Sequence, residues 1–152
     1  MEVLLNAVLS MIHPELYQAG LQATRFLKGA NALLNRSVAA WPSVFSGITV
    51  ISNRQTPPHR DRGGWAQSYD LLVSAGTHAH SVLGLSDVDA RLVYRPGAVV
   101  AVCGKLLRHD VLQWDGGERV CFAHYMKDAV LNRLEIARAA WVDRNYYARF
   151  MN

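Results

Sequence analysis

Apolar residues recur every three or four positions over residues 2 to 12 (Leu4, Leu5, Val8, Leu9, Ile12) and again over 14 to 35 (Leu16, Leu21, Phe26, Leu33, Leu34). This spacing lines up one apolar stripe along a helix. Pro14 suits the first turn of the second helix, where a backbone N–H has no intrahelical partner to lose. Both helices are expected to cover one face of a sheet. From residue 48 the pattern changes to short apolar runs at 48–52, 69–75, 80–85, 91–94, 98–103, 106–112 and 119–127, each bounded by Gly, Pro, Asp or Ser. Such runs between turn residues read as strands, and their cadence is that of a jelly roll. Asp128 then offers an N-cap to a terminal helix carried by Ala129, Val130, Leu134, Ile136 and Trp141. The expected fold class is α+β: a single domain over 1–152, with a helical flank at 1–36, a jelly-roll core at 48–127 and a C-terminal helix at 128–145.

Composition narrows the class without choosing a function. A chain of 152 residues fits one domain with a sizeable core. Hydrophobic residues at 51% against charged ones at 18% exclude a disordered or collagen-like chain. The net charge of +4 permits a polyanionic partner but is shared by many ordinary proteins. Cys103 and Cys121 both sit inside apolar runs and form no Cys-x-x-Cys pattern, so they read as buried packing residues in a reducing compartment. Neither a signal-peptide pattern nor an apolar span of about 20 residues is present, so an intracellular protein without membrane insertion is expected.

The chemistry is concentrated in His59-Arg60-Asp61, His109 and Arg119. With one residue between them on an extended chain, His59 and Asp61 project to the same side and can bite a single metal ion. His109 completes a set of two imidazoles and one carboxylate. Such a facial triad leaves the opposite face of a ferrous ion open for a bidentate organic acid and dioxygen. Arg119 supplies a planar, permanently charged fork for a carboxylate beyond the metal, such as the distal end of 2-oxoglutarate. The turn Asp115-Gly116-Gly117 is expected to fold the strand bearing Arg119 back beside the one bearing His109. Strand parity then places Cys121, Ala123, Tyr125 and Lys127 on the face of Arg119, and Val120, Phe122, His124 and Met126 on the other. Blander readings stand beside these: His59 and Asp61 as a solvated loop pair, and Arg119 as the partner of Glu118 or Asp128. A rival pair, His78 and His80, lacks a following glutamate, since Gly84, Leu85 and Ser86 occupy the relevant positions, and it reads as surface.

The phrases from Asn53 to Asp61, Tyr69-Asp70-Leu71-Leu72-Val73-Ser74, Tyr94-Arg95-Pro96-Gly97 and Arg119-Val120-Cys121-Phe122-Ala123-His124-Tyr125 resemble the fungal branch of the TET/JBP oxygenases, over roughly residues 48 to 134. The resemblance implies a double-stranded β-helix, iron(II) on His59, Asp61 and His109, and 2-oxoglutarate on Arg119. Arg54, five residues before His59, is also implied at the cosubstrate. Tyr125, Lys127 and Asn53 are expected in the substrate pocket, and lysine at position 127 departs from the family pattern. The implied reaction hydroxylates the methyl group of a methylated base in DNA, 5-methylcytosine first and N6-methyladenine second, with ascorbate as reductant and a nuclear location. Two alternatives stay open at this point: a non-catalytic jelly roll that binds DNA or metal, and the same chemistry on RNA, a nucleotide or a protein.

Overall fold

The computed structural model describes residues 1–30 and 32–148. Helices α1 (Glu2–Ile12), α2 (Pro14–Ala30) and α3 (Ala32–Ala39) come first. The single helix expected over 14–35 crosses Asn31, which lies outside the described residues together with the side chains of Leu33 and Leu34. Among the described residues nine strands follow: β1 (Gly47–Ser52), β2 (Thr56–His59), β3 (Asp70–Gly76), β4 (His80–Leu85), β5 (Ala90–Val93), β6 (Val99–Val102), β7 (His109–Val111), β8 (Trp114–Asp115) and β9 (Arg119–Tyr125). Two short helices, α4 (Asp128–Arg133) and α5 (Arg144–Ala148), complete the description.

The strands form two antiparallel sheets. The major sheet has the order β1-β9-β3-β6, and the minor sheet β2-β7-β4-β5 with β8 added to the start of β4. Side-chain alternation along β3 and β9 explains how they pack. Leu72 and Cys121 point inward and meet Leu83, Leu85 and Val111 of the minor sheet, with Tyr94 and Val102, in a core between the sheets. Leu71, Val73 and Phe122 point outward and are covered by Leu5, Leu9, Leu16 and Phe45, with Met126 and Leu131. The helical flank is therefore the second wall of the major sheet, and the architecture is the expected jelly roll with flanking helices. His124 turns toward this layer, where its Nε2 lies 3.0 Å from Glu2 of α1. Among the described residues no helix is long and apolar enough to cross a membrane.

Three expectations are corrected. The terminal helix over 128–145 stops at Arg133, because Glu135 takes a left-handed conformation (φ 53°) and Arg138 folds back, its Nη2 donating to Asp128 Oδ2 at 3.0 Å. A continuous helix would carry residue 138 about 15 Å along its axis from residue 128. Asp128 is thus spent on Arg138 and Asn132, and the cap position belongs to Lys127 without a side-chain cap. Second, the strand read over 106–112 shortens to His109–Val111, since a turn occupies the preceding residues, with Leu106 and Leu107 both donating to Cys103 O at 2.9 Å. Third, β9 does not lie beside β7. Gly116 and Gly117, both at positive φ, carry the chain from β8 in the minor sheet across to the major sheet, where β9 pairs with β1 and β3. His109 and Arg119 therefore belong to opposite sheets.

Candidate metal centre

β2 and β7 pair with His59 opposite His109, so the two imidazoles come side by side with ring centroids 4.3 Å apart. Each ring is oriented by its own backbone. Nδ1 of His59 donates to Pro57 O at 2.9 Å, and Nδ1 of His109 to Leu107 O at 3.0 Å. A carbonyl only accepts, so each Nδ1 carries the hydrogen and each Nε2 presents a lone pair. Those two atoms flank Asp61, at 3.5 Å from Oδ1 and 3.6 Å from Oδ2. One donor atom from each of the three residues falls within 4.8 Å of the others, the only such group among the described residues able to hold a metal. Two neutral imidazoles and a carboxylate on one rim fit iron(II), and the arrangement can hold it.

Three residues that the sequence did not single out brace this rim. Asp61 N–H donates to Gly104 O at 2.8 Å, and Gly104 is pressed so closely that a Cβ there would overlap Asp61 Oδ2 and lie 2.5 Å from Asp70 Oδ2. Asp70 is buried behind Asp61. Burial, with the neighbouring Asp61 carboxylate, pushes the Asp70 carboxyl up to about 8, so it is mostly protonated at neutral pH. Asp87, in the turn after β4, accepts from Arg60 Nη2 at 2.8 Å and from Arg108 N–H, joining the neighbours of both histidines. Those contacts, that of Arg108 foremost, hold its carboxyl below the usual range. Gly104→Ala should displace Asp61 and lower iron(II) affinity by about 10- to 100-fold, the range for partners that orient metal ligands. Anaerobic iron titration checks this, with circular dichroism confirming the native fold; unaltered affinity would contradict the close packing at Gly104.

Arg119 is 1% exposed and, among the described residues, makes no ion pair. Its Nη1 donates to Arg54 O at 2.8 Å, the face of Trp114 lies 5.7 Å from its Cζ, and among the described residues its Nε has no partner. A buried guanidinium with an unsatisfied N–H is costly unless an anion arrives. A dicarboxylate cosubstrate fits that need. Arg54 contributes its carbonyl to Arg119 and lines the same cavity. Asn53 is corrected as a pocket residue: at φ 47° it turns its side chain so that Oδ1 accepts from Arg119 N–H at 2.9 Å, and it does not line the cavity.

One cavity of about 360 Å³ joins these groups. Arg119, Cys121, Ala123 and Tyr125 line it in the alternation expected of β9, and Lys127, two residues past the end of the strand, continues that line from buried Arg119 to the exposed mouth. Leu72, Leu83 and Val111 form apolar walls, and Thr49, Gly63 and Gly64 complete the opening. Lys127 Nζ lies 5.9 Å from the centroid of the Tyr125 ring, and Thr49 donates to the Tyr125 hydroxyl at 3.3 Å. The rival pair is separated: His78 is buried among Ser81 Oγ, Tyr94 O and Glu118 O, correcting the surface reading, while His80 is exposed. Cys121 packs against the Tyr94 hydroxyl, and burial raises both the phenol and the thiol, so each stays protonated.

Two facing sheets with a histidine and carboxylate rim at one end make this a double-stranded β-helix domain of the kind that houses mononuclear metal sites. The chain belongs to the Tet/JBP family, the oxygenase domain of the 2OGFeDO superfamily, whose profile matches residues 1–128. Membership places it among oxygenase domains of that superfamily and implies iron(II) and 2-oxoglutarate as metal and cosubstrate. Among solved structures it is similar to NgTET1 in complex with 5mC DNA, at 15% identity and a TM-score of 0.53 over 72% of this chain and 44% of that one. The chain thus spans less than half the length of NgTET1. A cupin from Desulfovibrio desulfuricans matches at 15% identity and a TM-score of 0.36, over 51% of this chain and 71% of that one. A putative mannose-6-phosphate isomerase from Ralstonia eutropha matches at 23% identity and a TM-score of 0.37, over 52% and 72% respectively. Comparison with curated proteins gives no match.

Proposed function

We propose that this protein hydroxylates the methyl group of a methylated base in DNA, 5-methylcytosine in first place and N6-methyladenine in second, as a member of the fungal branch of its family. The observation that carries the reading is the single cavity shared by the His59, Asp61 and His109 rim, Arg119 with an Nε that has no partner among the described residues, and the side near Tyr125. Bound iron(II), with 2-oxoglutarate and dioxygen, supplies the oxidising power needed to break a methyl C–H bond. His59 and His109 hold their Nε2 atoms toward the ion because their Nδ1 hydrogens are tied to backbone. Arg119 takes the distal carboxylate of the cosubstrate through its free N–H groups, and the apolar walls keep water from the reacting groups. A cavity of about 360 Å³ is within the range of small-ligand sites and too small for a duplex, so the target base must leave the stack and enter alone. Tyr125 offers a face to that base and Lys127 offers donors to its acceptor edge. A nuclear location accompanies this substrate and is part of the same proposal.

The test is nucleoside mass spectrometry after incubation of the protein with iron(II), ascorbate, 2-oxoglutarate and methylated duplex DNA, with methylated RNA and free nucleotides in parallel. Conversion of 5-methylcytosine to its hydroxymethyl form in duplex is expected. Succinate formation without any change in DNA bases would overturn the DNA-base reading.

A further inference from the structure

We propose that Arg62, Lys105 and Arg108 form a track for the backbone phosphates of the nucleic acid whose base enters the cavity. This rests on the reading of DNA as substrate and adds where the strand lies.

A second depression, of about 510 Å³, adjoins the metal rim and is lined by His59, Asp61, Arg60, Arg62, Lys105 and Arg108. It shares His59, Asp61 and Arg62 with the main cavity, so the two open onto one continuous surface. The four cations differ in state. Arg60 is committed, its guanidinium bonded to Asp87 and, through Nε at 2.8 Å, to Leu106 O. Arg62, Lys105 and Arg108 are exposed, and among the described residues none is in a direct ion pair. Of the carboxylates, only Asp61 and Asp70 line either cavity, and both belong to the metal rim. Asp87 and Asp128 lie within electrostatic reach of Arg108 and Lys105 respectively, yet neither carboxylate closes on those side chains as a direct ion pair among the described residues. Exposed cations left open in this way beside a site for one base suit a chain of regularly spaced phosphates.

The cations are held on ordered backbone. Lys105 sits in the turn closed by Leu106 N–H and Leu107 N–H on Cys103 O, and Arg108 N–H is fixed by Asp87. On the other side, Arg54 and Lys127 line the cavity, so a strand entering its reactive base passes cations on both flanks. Arginine and lysine at such positions fix register on a phosphate backbone without reading sequence.

The experiment measures binding of a methylated duplex by fluorescence anisotropy across salt concentrations, using the full chain and the double variant Lys105→Gln/Arg108→Gln. Neither residue lines the main cavity. Iron content and 2-oxoglutarate affinity should match wild type. The slope of log affinity against log salt should flatten by about 1.8, making the variant about thirtyfold weaker at 0.15 M salt, with the two curves converging near 1 M. The charge-keeping variant Lys105→Arg/Arg108→Lys should restore the slope. If wild type binds duplex and the Gln variant has the same slope, the phosphate track is wrong while the dioxygenase reading stands. If wild type, loaded with iron and 2-oxoglutarate, binds no duplex at any salt, the nucleic-acid reading fails and the track with it.

Discussion

Asp61→Ala is expected to purify without iron and to bind added iron(II) more weakly than wild type by a factor above roughly 100, since even outer partners of metal ligands are worth 10- to 100-fold. Asp61 is the one carboxylate between the two Nε2 atoms, and it supplies the only negative charge in the three-residue set. Two neutral imidazoles alone make a poor site for a hard divalent ion. Asp70 cannot simply take over, because it is buried behind Asp61 and Gly104, and burial, the largest cause of its raised pKa, remains when the Asp61 carboxylate is removed. Asp61 itself is partly exposed and anchors the rim through its backbone, so the fold should survive the change. Elemental analysis of the purified variant decides the matter, and a wild-type iron content would sink the triad.

Arg119→Met should raise the thermal stability of the cosubstrate-free protein while weakening 2-oxoglutarate by about a hundredfold. The two effects have opposite signs for one reason. In the absence of an anion the guanidinium is a buried charge with an unpartnered Nε, and an apolar side chain of similar length removes that penalty. With 2-oxoglutarate present, the same guanidinium supplies charge-assisted hydrogen bonds worth roughly 1.5–3 kcal/mol each, and a net loss of about 3 kcal/mol corresponds to two decades of affinity. Arg119→Lys should recover only part of the affinity, because an ammonium restores charge without the two-pronged geometry. Calorimetric titration of the iron-loaded protein under anaerobic conditions, paired with thermal unfolding, reads both quantities. Wild-type affinity in Arg119→Met would remove 2-oxoglutarate from this position.

Local pattern was enough for what depends on local chemistry. The alternation along residues 119–127 assigned each side chain of β9 to its face, and His59 and Asp61 two residues apart announced a shared target. Long-range pairing was less legible. The Asp115-Gly116-Gly117 turn looks like a hairpin in sequence, but a turn signal does not say which sheet receives the next strand. The strand at Thr56–His59 was hidden because Pro57 and Pro58 cannot donate to a ladder, and they are tolerated on a sheet edge. Asp70 left a faint signal, an acid at the head of an apolar strand with Leu72 and Ser74 on its face. Gly104 left none, since only the approach of two carboxylates from distant segments reveals why a side chain is excluded there.

Asp87 ties Arg60, next to His59, to Arg108, next to His109, through its two carboxylate oxygens. The spacing of the two imidazoles is therefore set when the chain folds, before any ion arrives, and the ordering of the ligands is not left for the metal to accomplish. The centre behaves as a socket, in contrast to small zinc domains whose metal drives folding. Chelation should leave a folded protein that reloads, so each domain can outlive many individual iron atoms, and its working lifetime is uncoupled from that of its metal.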